Sequence, residues 1–219
     1  MADINQENSD ILKGYSMLLY FAGSFILNEP SEECIQDIAA GDLFRKLPVK
    51  SKNPNYILAS SFLNNINKKS VQDFDEILAD YLTLFGSSGF PQAPPFESYY
   101  TESGKVRQDH VPGVHYTYNA YGWQAQPACR QGSGSESVPE DHLGIELQFL
   151  NLLIEKKYDT EDDICRKELT RDTRKFIDNH LRPWLSDWNR RMQSSAISNF
   201  YKGIGYLVLA CVQDVYHLV

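Results

Sequence analysis

The sequence predicts an all-α fold. Apolar residues recur every three or four positions along most of the chain, no convincing alternating strand of five or more appears, and helix start and stop signals punctuate the periodic segments. A chain of 219 residues can bury a substantial core, and one compact helical domain over 1–219 is expected, with an N-terminal part to about residue 104 and a C-terminal part from about 105. Hydrophobic residues make up 42% and charged residues 23%, an ordinary globular balance that excludes a disordered or fibrous chain.

The first helix is expected from about Asp10 to Leu27, with Ile11, Leu12, Tyr15, Leu18, Leu19, Ala22 and Ile26 on one face. A short helix over Glu32–Ala40 follows, stopped by Gly41 as a left-handed terminator. Asn53 and Pro54 read as N-cap and first helical residue of a segment running to about Asn67. Ser70 with Asp73 opens the next helix, which ends at Phe85 before Gly86. From Gly86 to Gly104 the pattern breaks into a long loop dense in Gly, Pro and aromatic residues. Weak periodicity returns between Lys105 and Gly122, and a polar linker, "QGSGSES", precedes helices expected at about 139–157, 160–181, 183–192 and 198–217.

Several classes are excluded or disfavoured. "MADINQENSD" carries acids and no basic cluster, so a signal peptide is not expected and a cytoplasmic location is. The longest apolar run, Ile204 to Val212, is less than half of the roughly 20 residues that a bilayer span requires. A net charge of −8 gives the wrong sign for a phosphate backbone, so no nucleic-acid partner is expected. Cys34, Cys129, Cys165 and Cys211 lack zinc-site spacing and read as reduced, mostly buried thiols. No cofactor is expected.

The stretch "SVPEDHLGIELQFLNLL" (137–153) concentrates chemistry at a helix start. Ser137 and Glu140 have the spacing of a capping box, and Asp141 suits the first turn electrostatically. His142 and Glu146 lie four apart on one face, which keeps open an all-α metal-dependent hydrolase using Asp141, His142 and Glu146. Trp184 and Trp188, four apart, read as core packing, as do the glycines of "KGIG" (202–205). Segments 70–104 and 131–155 contain acids and no Lys or Arg, each beside apolar residues, a combination suited to a peptide that is basic at one end and apolar at the other. An oligomeric scaffold is the third class considered.

The motifs "YLTLFG" (81–86), "APPFESYY" (93–100), "VPEDHLG" (138–144), "HLRPWLSDW" (180–188) and "FYKGIGYL" (200–207) occur in the order seen in the TorD/DmsD-type redox-enzyme maturation chaperones, which the chain resembles from about residue 10 onward. The resemblance implies an all-helical chaperone without a reaction of its own. It would bind the twin-arginine leader of a molybdopterin oxidoreductase of the dimethyl sulfoxide reductase superfamily, and in some cases the mature subunit, delaying export until the cofactor is inserted. It also implies a monomer or homodimer with no metal site, and a peptide-binding surface made by Tyr81, Leu84, Phe85, Pro95, Phe96, Ser98, Pro139, Asp141 and His142. Asp141 would meet the leader arginines, and Tyr81, Leu84, Phe85 and Phe96 its apolar part. Val138 stands where the family often has an acid and Ser103 near where some members have arginine; Glu97, Glu136 and Glu140 are the neighbouring carboxylates that could restore the charge.

Overall fold

The computed structural model describes residues 2–66, 71–86, 90–101, 113–125 and 138–219. The architecture is all-α. Among the described residues the only extended pairing is a single antiparallel bridge between Phe96 and His142.

Helices α1 (Ala2–Leu27), α2 (Glu32–Ala40), α3 (Pro54–Asn64) and α4 (Val71–Phe85) form the first part. The Asn53 side chain caps α3 by accepting from the Asn55 N–H at 2.9 Å, with Pro54 at the first position, as the sequence predicts. Helix α2 ends where expected, but Gly41 stays right-handed (φ −72°) and Asp42 takes the left-handed conformation instead (φ 58°). Helix α4 stops before Gly86, where a Cβ would lie 2.3 Å from the Leu82 carbonyl oxygen. The proposed cap Ser70 lies outside the described residues.

A short helix α5 (Glu97–Thr101) sits inside the stretch expected to be irregular, and α6 (Gly113–Ala120) occupies the weakly periodic region. Then come α7 (Leu143–Asp159), α8 (Asp163–Phe176), α9 (Leu185–Ser195) and α10 (Asn199–Leu218). Helix α8 is capped by Asp162, which accepts from Ile164 and Cys165. The helix expected to run unbroken to 181 instead passes into a π-helical turn, Ile177–Leu181, closed by the Arg182 N–H to the Ile177 carbonyl at 2.9 Å.

The core is one contiguous set of apolar side chains. Helix α10 lies at its centre, packed along α3 and against α1, α9 and α4, while α1 runs along α7. Trp184 and Trp188 are 1% and 0% exposed, confirming their packing role. The glycines of α10 also serve close approach: a Cβ at Gly203 would meet Leu63 Cγ at 2.6 Å, and one at Gly205 would meet Asn189 Oδ1 at 2.6 Å. The expectation for thiols is corrected. Cys34 and Cys165 are exposed and only Cys211 is buried, because the first two fall on solvent faces of α2 and α8; Cys129 lies outside the described residues. Among the described residues no helix is long and apolar enough to cross a membrane.

Candidate functional site

The last turn of α4 leaves carbonyls without intrahelical partners, and the following segment supplies them. The Gln92 and Ala93 N–H groups donate to the Thr83 and Leu84 carbonyls at 3.0 and 3.2 Å. The chain then runs through buried Pro94 and Pro95, which lack an N–H and so leave no backbone donor to be paired there. At its far end the Pro95 carbonyl accepts from the Leu143 N–H at 2.7 Å, satisfying a free donor at the start of α7.

Asp141 binds this segment twice. Its carbonyl accepts from the Glu97 N–H and its carboxylate from the Ser98 N–H, each at 3.0 Å, so that it caps α5 from a distant part of the sequence. His142 caps α7: its Nδ1 accepts from the Gly144 N–H at 3.1 Å, and its ring stands edge-on to Phe96 with centroids 5.2 Å apart. Helix α7 thus starts at Leu143 rather than Pro139, and Glu140 lies ahead of it, outside any capping box. Ser137 is outside the described residues. The Glu140 carboxylate instead meets His115 Nδ1 at 2.7 Å.

These links place all nine sequence-predicted residues along one continuous path. Ala93 and Glu97 join the α4 end to Asp141, and four extended residues span at most about 14 Å. Their exposure differs from expectation, however. Tyr81 is 8%, Leu84 0% and Phe85 9% exposed, with Phe85 edge-on to Tyr201 at 5.5 Å. Asp141 and His142 are 2% and 1% exposed, and Ser98 and Pro95 are also buried. Phe96 is half-buried and Pro139 exposed. Asp141 therefore spends its carboxylate inside the fold. The exposed apolar groups beside this path are Leu82 and Phe90. Of the two departures from the family pattern, Val138 is half-buried against the core and Ser103 lies outside the described residues.

Sequence reasoning missed an acidic cluster behind Phe96. Glu97 Oε2 lies 3.1 Å from His180 Nδ1, and His180 Nε2 lies 3.4 Å from the Thr117 hydroxyl. Next to Glu97 stands Glu146 of α7, which is 0% exposed. Burial first, then the Glu97 and Asp141 charges, hold its carboxyl well above the usual carboxylate range. Burial first, then Glu146, Glu140, Glu97 and Asp141 in that order, push the Tyr118 phenol well up. The acid-only composition of the two segments signalled that carboxylates converge here, but not that His180 would join them. Glu146 and His142 do not form a metal site, since His142 Nδ1 is turned to its own helix; among the described residues no three His, Cys, Asp or Glu are placed to hold a metal.

A sequence profile of the family described as nitrate reductase delta subunit matches residues 55–190. The chain belongs to this family. Its similarity to curated proteins named chaperone protein TorD supports the resemblance to TorD-type redox-enzyme maturation chaperones that its motifs carry. It is 27% identical over 142 residues to the chaperone protein TorD of Vibrio cholerae serotype O1 strain ATCC 39315, covering 65% of this chain and 61% of that protein. The TorD of a Psychrobacter species is 29% identical over 141 residues, covering 64% of this chain and 60% of the relative. The match thus spans about three fifths of either relative's length. The TorD of Photobacterium profundum is 23% identical over 207 residues, covering 92% of this chain and 93% of the other. Every residue of the path from Tyr81 to His142, together with Glu146 and His180, falls within the family match.

Proposed function

We propose that this chain is a cytoplasmic chaperone that binds the twin-arginine leader of a molybdopterin oxidoreductase of the dimethyl sulfoxide reductase superfamily and delays its export until cofactor insertion and folding are complete. The observation that carries this reading is the stitching of segment 92–98 to the end of α4 on one side and to residues 139–143 on the other, which ties the segments bearing Glu97 and Glu140 to the one bearing the apolar groups of the α4 end. A leader needs both: carboxylates for its guanidinium groups and an apolar surface for the segment that follows.

The nine residues divide by burial. Asp141, His142, Pro95 and Ser98 shape the site through bonds to the backbone, Phe96 and Pro139 border it, and Tyr81, Leu84 and Phe85 form the apolar bed beneath it. Ordering the peptide costs about 2–5 kcal/mol, so a dissociation constant between roughly micromolar and nanomolar is expected, weak enough for later release.

The test is calorimetry with a leader peptide at several salt concentrations. Glu140→Gln is expected to weaken binding and flatten its salt dependence, whereas Phe96→Ala weakens it with the salt response retained. No binding by the wild-type chain to any twin-arginine leader from its own cell would end this reading.

A further inference from the structure

The cluster behind Phe96 holds more carboxylate than the fold uses. Asp141 engages the Ser98 N–H and Glu97 engages His180. Glu146 does neither: both of its carboxyl oxygens are buried and lack a well-formed hydrogen-bond partner, although the Glu97 carboxyl beside it is near enough to interact with its protonated form. An orphaned carboxyl of this kind opposes folding. Ile145 and Leu147 on either side of it are themselves buried, so the burial of this stretch of α7 is secured by apolar packing and does not depend on the acid. The acid calls for a reason outside the folded chain.

We propose that Glu146 and Glu97 together hold the guanidinium of one leader arginine, an assignment that rests on the leader reading above and gives its charged end specific residues. A guanidinium presents N–H donors in a planar fork that two adjacent carboxyl groups can accept, while an ammonium offers a single point of charge. A metal ion would need a third ligand, which the described residues do not supply. The way in is past Glu97 and His180, whose side chains are 14% and 11% exposed. The arriving guanidinium takes the Glu97 oxygen from His180 Nδ1 and reaches Glu146 behind it.

Charge balance gives the step a signature. Before the peptide arrives, burial and the neighbouring acids favour the protonated form of Glu146; on binding, the carboxyl ionises against the guanidinium and its proton passes to solvent. The titratable groups facing it are Glu97 of α5, Asp141 ahead of α7, Tyr118 of α6 and, through Glu97, His180, with the His115 and Glu140 pair adjoining. Among the described residues no lysine or arginine figures in the charges acting on Glu146.

The experiment is calorimetric titration of the full chain with a peptide carrying two adjacent arginines before an apolar run, in two buffers of different ionisation enthalpy, beside the same peptide with lysines. Wild type is expected to release about one proton per arginine peptide near neutral pH and to bind the lysine peptide at least about tenfold more weakly. Glu146→Gln, checked for folding by circular dichroism, loses both the proton release and most of the arginine preference. Equal affinity of wild type for the two peptides overturns the assignment without recourse to any variant. So does a folded Glu146→Gln chain that binds with unchanged proton release, and in both cases the leader reading survives. Failure of wild type to bind either peptide, or any leader, sinks the assignment and that reading together.

Discussion

Asp141→Ala tests whether the carboxylate of the "PEDH" stretch is a strut or a ligand. It removes the acceptor of the Ser98 N–H, a 3.0 Å bond at a residue only 2% exposed. A hydrogen bond to a charged group contributes about 1.5–3 kcal/mol, and here the donor left behind is shut off from water, so a loss of about 2–3 kcal/mol is expected. In a chain of this size each kcal/mol moves the melting temperature by about 2–4 °C, which gives a fall of roughly 4–12 °C by circular dichroism or calorimetry. Asp141→Asn keeps an acceptor oxygen and is expected to melt between wild type and Asp141→Ala. Measured well below both transitions, its affinity for a leader peptide should stay within about threefold of wild type, a change of less than 1 kcal/mol. An Asp141→Asn chain that melts with wild type yet binds leader more than about tenfold more weakly would show that the carboxylate faces the peptide rather than Ser98.

Three further outcomes are expected. Asp80, 2% exposed, accepts from Ile197 at 2.9 and 3.0 Å and from Ser198 at 2.7 Å, tying α4 to the start of α10; Asp80→Ala should cost about 3–5 kcal/mol in denaturant unfolding, since it orphans both donors. Gly144→Ala places a Cβ 2.9 Å from the Gly23 carbonyl oxygen and 2.9 Å from Leu27 Cβ, so α1 and α7 must part, and a net loss of about 1–2 kcal/mol is expected after the small gain in helix propensity. Glu146→Gln should stabilise the chain at neutral pH more than at acid pH. The folded protein holds the Glu146 proton over the window above the ordinary carboxylate pKa where the unfolded chain has released it, so the wild-type residue costs increasing stability as pH rises through that window. Melting curves between pH 5 and 8 check this, and a pH-independent difference between the two proteins would refute it.

The helices were legible because their signals are local. Asn53–Pro54 and the apolar period of α10 needed no knowledge of the rest of the chain. Helix α5 was not legible: five residues carry too little periodicity, and its cap, Asp141, arrives from 43 positions away. The start of α7 was misplaced for the opposite reason. A convincing local pattern, S-x-x-E, was overridden by tertiary contacts that recruit His142 as cap and Glu140 as partner of His115. Site residues were found as sequence motifs, yet their burial could not be read from the motifs, because PEDH looks the same whether its acid faces water or another loop. His180 opens the "HLRPWLSDW" stretch, yet nothing in that stretch told that the π-helical turn would aim it at Glu97.

That geometry turns on the π-helical turn at Ile177–Leu181. It accommodates one residue more than a regular α-helix would, and each residue rotates a helix by about 100°. With one residue fewer, the imidazole would swing away from Glu97 and Thr117, and Ile177 and Leu181, both 0% exposed, would move with it. The acid cluster thus depends on the register of this turn, and a length change of one there would part the histidine from its carboxylate.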